Sequence, residues 1–274
     1  MAEQEIENTL DLSDRELEEA RARSAIGAHI LHEAVRREGE QELQRPSSAL
    51  AWSGFAAGLS MGFSLIGEGL IRSRLPDAPW RPLLSKLGYT FGFLLVILGR
   101  QQLFTENTLT PILPLLVRPN LGTLRQVGRL WSIVLATNLA GALAIAWVLG
   151  NTGAFRPEVQ KAFAEIGNES LSVGFGLALL RGVFAGWLIA LLVWILPFTE
   201  AFRVVVIVLL TWLIAVGGFT HVIAGSIEVL FLATTGAAAW NVVVGSYIVP
   251  TLIGNILGGV SLVAALNHAQ VVSH

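Results

Sequence analysis

The sequence predicts an all-α membrane protein with six transmembrane helices in an inverted repeat of three and three, the second and fifth helices being broken. Three observations carry this reading. Of 274 residues, 53% are hydrophobic and 14% charged, and the apolar segments reach the roughly 20 residues a helix needs to cross a hydrocarbon core. Two of those segments are interrupted midway by polar residues and glycine: 83–117 at Arg100 to Asn107, and 204–233 at Gly217 to His221. Finally, the interruptions sit at matching places in the two halves. Backbone groups freed inside a bilayer are tolerated only where they are buried in protein or line a wet path, so the two breaks point to a permeation site.

Residues 1–45 form a charged head with twelve acids and six arginines, against eight acids and twelve basic residues in the rest. Within it, Ser13-Asp14-Arg15-Glu16 has capping-box spacing, and Leu17, Ala20, Ser24, Ala28, Leu31 and Val35 recur as one weakly apolar helical face. This predicts an amphipathic helix lying on the protein's own surface or against a neighbouring subunit. The channel domain, 46–268, is expected to hold spans at 47–71, 83–117, 127–149, 172–196, 203–233 and 245–267, followed by a tail at 269–274. The polar stretch from Arg156 to Ser170 reads as an extramembrane loop or short surface helix. Placing the N-terminus in the cytoplasm puts ten Arg or Lys inside against six outside, narrowing to seven against six near span ends. No cleaved signal peptide is evident, and with no cysteine neither a disulfide framework nor a thiolate metal site is available.

Three echoes fall in order across the halves. Phe55-Ala56-Ala57-Gly58 pairs with Phe184-Ala185-Gly186, Phe104-Thr105 with Phe219-Thr220, and Asn138-Leu139-Ala140-Gly141 with Asn255-Ile256-Leu257-Gly258. An odd number of spans per half makes the second half enter from the opposite side, with the site near the midplane. Gly54, Gly58, Gly62, Gly141, Gly182, Gly186, Gly254 and Gly258 permit close helix approach.

Leu103-Phe104-Thr105, Gly218-Phe219-Thr220-His221-Val222-Ile223-Ala224 and Gly254-Asn255-Ile256-Leu257-Gly258-Gly259 resemble the signature stretches of the formate/nitrite transporter family, in the right order from about residue 30 to 267. The resemblance implies an aquaporin-like six-span protomer in a cell inner membrane, usually a homopentamer with one pore per protomer. Such pores conduct small monovalent anions of weak acids such as formate, nitrite or hydrosulfide. Residue by residue it assigns the central histidine to His221, the threonine of the first break to Thr105 with Leu103 at the constriction, and the asparagine of the sixth span to Asn255. Tyr89 becomes the inner-wall aromatic, with Phe93 at the neighbouring constriction. Departures from the family pattern stand at Thr220, Ile214, Gly186 and Gly225, so architecture carries over better than selectivity.

Five charged residues lie within or beside the spans: Glu68, Arg100, Glu106, Arg181 and Glu228. Each costs about 2.5 kcal/mol or more at the centre of a lipid-facing helix, so each should face protein or water. Glu68 and Arg100 can snorkel; Arg181 is expected to pair with Glu228 or Glu106, or to meet carbonyls at a break. An acid bordering the path would instead oppose anions and favour a cation or neutral solute. His221 has the alternative role of a helix-tying histidine, and Asn138 and Asn255 read as interhelical clamps or pore-lining donors. His29 and His32, three apart on the head, could join a metal site but are more often just exposed helix residues, Asn168-Glu169-Ser170 matches a glycosylation sequon by chance, and nothing places a His-Glu-x-x-His set or a Ser-Lys pair at the breaks. The expected partners are a small solute or ion and membrane lipid, without cofactor, metal, nucleic acid or enzymatic activity.

Overall fold

The computed structural model describes residues 27–272, so the predicted capping box at Ser13 and the face from Leu17 to Ser24 lie outside the described residues. All described elements are helical. Helix α1 (Ala28–Gln44) is followed by α2 (Ser47–Arg72), α3 (Arg81–Ser85), α4 (Thr90–Leu98), α5 (Ile112–Val117), α6 (Leu121–Asn151), α7 (Pro157–Leu171), α8 (Phe175–Ile195), α9 (Arg203–Val216), α10 (Ala224–Thr234), α11 (Trp240–Val243), α12 (Val249–Leu257) and α13 (Leu266–Val272). Five helical stretches are long and apolar enough to cross a membrane: Ser47–Arg72, Arg81–Leu98, Leu121–Asn151, Phe175–Phe198 and Trp240–Gln270. The last contains wide π turns at Val244–Ile248 and Gly258–Ala265, flanking the helix that carries Pro250. Helices α9 and α10 are each too short to span alone.

Glycines set the tightest helix contacts. A Cβ on Gly58 of α2 would stand 2.9 Å from the Cα of Gly141 in α6, and one on Gly254 of α12 would stand 2.9 Å from the Cα of Gly182 in α8. Only hydrogen fits there, so the four backbones pack at small-residue distance.

Both breaks begin with the same backbone closure. After α4, Gly99 N–H bonds Leu95 O and Gln101 N–H bonds Val96 O, with Arg100 at φ 48°; after α9, Gly217 N–H bonds Leu213 O and Phe219 N–H bonds Ile214 O, with Gly218 at φ 60°. A left-handed residue past the helix end satisfies the terminal carbonyls. Glycine does so freely in the second break, whereas Arg100 costs about 1 kcal/mol or more in the first.

Two peripheral segments each take one of the two forms expected of them, the polar stretch as a helix and the head on the protein's own surface. The stretch after α6 is no surface loop: α7 buries Val159, Ala162, Phe163 and Ile166, and Phe163 packs edge-on against Phe231 of α10 at 5.7 Å. Its apolar 3.6-residue periodicity is short and hidden among polar neighbours. Helix α1 lies on the protein's own surface, burying His32, Val35, Gly39 and Leu43. Arg129 of α6 donates to Leu43 O at 2.7 Å, and His32 Nε2 lies 3.0 Å from His268 Nδ1 of α13. Burial, with His268 beside it, pulls the His32 imidazole below its ordinary range. Its neighbour is thus a second imidazole, on α13.

Candidate functional site

Each break is stitched to the bundle by one asparagine. Asn138 of α6 donates to Gly54 O at 2.7 Å and Gln102 O at 2.9 Å while accepting Phe104 N–H at 2.9 Å. Asn255 of α12 donates to Gly182 O and Thr220 O, both at 2.9 Å, while accepting Val222 N–H at 2.8 Å. A carboxamide supplies two donors and an acceptor, which matches the orphan groups of a non-helical turn. The bonds pair Gln102 with Thr220 and Phe104 with Val222, so Leu103 corresponds to His221. The Phe-Thr echo read from the sequence is thus displaced by three residues, whereas the Gly58/Gly186 and Asn138/Asn255 echoes keep the register.

The two breaks meet at Thr105 and His221, both buried, whose Oγ1 and Nε2 lie 2.8 Å apart. His221 Nδ1 accepts the N–H groups of Ile223 at 3.3 Å and Ala224 at 3.1 Å, at the start of α10. Those donors make Nδ1 an acceptor, so the neutral ring carries its proton on Nε2 and donates it to Thr105. Phe93 meets the imidazole edge-on at 5.0 Å, and Tyr89 lies 5.4 Å beyond Phe93. Leu103 is fully buried, one residue before Phe104.

Phe104 joins this site through its backbone only, its ring lying edge-on to Trp131 at 5.7 Å. Thr220 donates to Ala178 O at 2.6 Å, which ties the break to α8. The position of Gly225 is explained by Tyr247, whose hydroxyl occupies the space a side chain there would need. Likewise a Cβ on Gly186 would stand 2.7 Å from the Cα of Asn255, so that glycine serves the clamp rather than the histidine.

The charged residues sort differently from expectation. Arg181 has no acidic partner among the described residues; its guanidinium instead packs over Gly218, with Nη1 3.6 Å from the place a Cβ would take. Glu228 accepts Ser170 Oγ at 2.5 Å. The Arg100 side chain, expected to snorkel, is 78% exposed and stands 3.9 Å from Glu38 of α1. Glu68, also expected to snorkel, pairs instead with Lys86 at 2.6 Å.

Beside the first break a cavity of about 530 Å³ is lined by Glu38, Glu42, Arg45, Arg100, Glu106 and Arg203, among others. One Glu106 oxygen there has no hydrogen-bond partner among the described residues. Glu42 of α1 accepts Thr110 Oγ1, and also Gln102 Nε2 at 3.2 Å, which joins α1 to the break. Burial pushes the Glu42 carboxyl from its ordinary 4.5 up to about 7, against the pull of those two bonds. The folded protein therefore holds this proton more tightly than the unfolded chain; the stabilisation is full below about pH 4.5 and is lost as pH rises through about 7. Glu42→Gln should flatten the fall in thermal stability of detergent-solubilised protein between pH 5 and 8, the two proteins diverging by up to about 3 kcal/mol.

Comparison with known proteins matches residues 29–269 to the family model described as formate/nitrite transporter. The inner membrane protein YfdC of Escherichia coli K12 is 43% identical over 89% of this chain and 79% of its own length. The formate channel BtFdhC of Bacillus thuringiensis is 26% identical over 84% of this chain and 90% of its own. Among solved structures, a pentameric formate channel with formate bound superposes with a TM-score of 0.66 at 20% identity, covering 86% of this chain and 99% of that one. The second relative and the solved structure are channels, not enzymes, and the chain belongs to the formate/nitrite transporter family.

Proposed function

We propose that this protein is a pore for the small monovalent anion of a weak acid, formate-like, nitrite-like or hydrosulfide-like, with one pore per protomer of a homopentamer. The observation that carries it is the Thr105–His221 contact at the meeting of the two breaks. In this reading the chain crosses the membrane six times as an aquaporin-like inverted repeat, the second and fifth crossings being α3–α5 and α9–α10. The two asparagine clamps, with their like sets of bonds at a spacing of 117 or 118 residues in the break and the clamp, support it. Residues 1–45 form a cytoplasmic head, 46–268 the channel and 269–274 a tail, in an inner membrane as the name of the Escherichia coli relative has it.

The path runs past Tyr89 and Phe93 on one side of His221 and Leu103 on the other. Apolar constrictions strip water from an ion, and the Nε2–H of His221 is the donor that an arriving anion can take from Thr105. Asn138, Asn255, Thr220 and Phe104 hold the breaks in place. Arg181, beside Gly218, faces the second break and adds a positive charge near it.

A second reading rests on Glu106 and Glu42 at the cavity beside the first break. Carboxylates there repel anions, favouring a cation, a neutral solute or the protonated acid. Proteoliposome uptake at two pH values, comparing formate, nitrite, hydrosulfide, ammonium and potassium, decides between them. Faster formate or nitrite entry at the lower pH is the expected result; potassium or ammonium flux without anion flux would overturn the anion pore.

A further inference from the structure

At the other end of the molecule, around α7, a buried polar cluster takes no part in the path as described so far. Glu68 of α2 is 1% exposed and Glu228 of α10 is 5% exposed. Lys86 Nζ lies 2.6 Å from Glu68 Oε1, and Glu68 Oε2 has no donor among the described residues. Glu228 holds Ser170 Oγ and lies within Coulomb range of both Lys86 and Glu68. Tyr89 faces both carboxylates and Tyr247 faces Glu228, while Glu169 adds further negative charge. Arg72, at the end of α2, is engaged by Glu165 at 3.2 Å and Glu169 at 2.5 Å. One ammonium thus serves two buried carboxyl groups.

A buried carboxylate left without a counter-charge is strongly unfavourable, and two carboxyl groups sharing one site retain a proton between them. The position of Glu228 gives that proton a destination. It lies seven residues past His221, on the second turn of α10. The Tyr247 hydroxyl, against Gly225, fills the turn between them and sits beside Ser170 and the His221 backbone.

We propose that Glu68, Lys86 and Glu228 form a site for one exchangeable proton, carried on Glu228 and delivered to the conjugate base of the permeating weak acid before it reaches His221. In this step the O–H bond of Glu228 breaks and an O–H bond forms on the anion. The negative charge passes to the Glu228 carboxylate beside Lys86, and the neutral acid moves on past Phe93. Glu228 then regains a proton from water at the α7 end. The delivery step rests on the weak-acid reading above; the existence of the proton site does not.

Infrared difference spectroscopy of the reconstituted protein at neutral pH tests the site without any permeant. The wild type should give a protonated-carboxyl stretch that loses one component in Glu228→Gln. The same component should disappear in Glu68→Gln, where Lys86 is free to neutralise Glu228, and the stretch should grow in Lys86→Met. An unchanged stretch in both glutamine variants overturns the proposal. Initial formate uptake, with a pH dye inside the vesicles, tests delivery: Glu228→Gln should slow coupled formate and proton entry at least tenfold. Normal uptake in a variant that has lost the component makes the proton structural and overturns delivery. If the infrared pattern holds but the wild type carries no weak acid, the proton site stands and the transport reading falls.

Discussion

His221→Phe should lower the initial rate of formate uptake into proteoliposomes about ten- to hundredfold, because a permeant oxygen left without its donor in a dry site costs about 1–3 kcal/mol. Phenylalanine keeps the ring against Phe93 but removes both the Nε2–H aimed at Thr105 and the Nδ1 acceptor of two α10 amides. Wild-type flux should rise as pH falls, since a dry path passes the neutral acid more readily than its anion, and the variant should show a weaker rise because its path lacks the Nε2–H donor. Should the variant keep both rate and pH profile, His221 is a clamp and plays no part in handling the permeant. Thr105→Val serves as companion, since it leaves the imidazole donor without its resting acceptor; a smaller loss of rate is expected there.

Asn255→Ala should be the most destabilising single substitution of the two clamps' residues. It strands Gly182 O, Thr220 O and Val222 N–H, all in a dry interior, at about 1–3 kcal/mol for each unsatisfied group. The expected total, about 3 kcal/mol or more, is read as a lowered thermal midpoint and a reduced folded yield in detergent. Asn138→Ala should behave alike through Gly54, Gln102 and Phe104. An Asn255→Ala protein that keeps both midpoint and yield would mean that the broken segment finds its partners elsewhere, and that the clamp is dispensable.

Much of this architecture is legible in the sequence because the bilayer punishes ambiguity. An apolar run cut by Gln101-Gln102 or by Gly217-Gly218 can only be a break, and an asparagine in each half at the same distance from it is a natural partner. His221 and Thr105 were legible for the same reason, being polar residues next to the interruptions. The pairings were not. Whether Lys86 or Arg181 answers an acid depends on which helix faces lean together, and no one-dimensional pattern records that. Lys86 stands only three residues inside the expected span 83–117, and its partner Glu68 is 18 residues away in sequence, near the end of the previous one. Tyr247 was likewise invisible, since its role is to occupy the space left by a glycine on another helix. The displaced Phe-Thr echo has the same origin: identical dipeptides matched by eye, whereas the chain repeats a hydrogen-bonding pattern.

The clamps also constrain the order in which the chain can enter a membrane. Gln102 O and Phe104 N–H wait for an asparagine made 36 and 34 residues later. Until α6 has emerged from the ribosome, the first break therefore carries bare amides that hydrocarbon will not accept. The segment from α4 to α6 must then partition as one piece, held at the insertion machinery until its last helix is complete. The second break repeats the delay, with Asn255 arriving 35 residues after Thr220. Biogenesis of this protein is thus expected to advance in two large steps rather than helix by helix, with a stalled chain ending near residue 120 still extractable from the membrane and one long enough for Asn138 to have cleared the ribosome not.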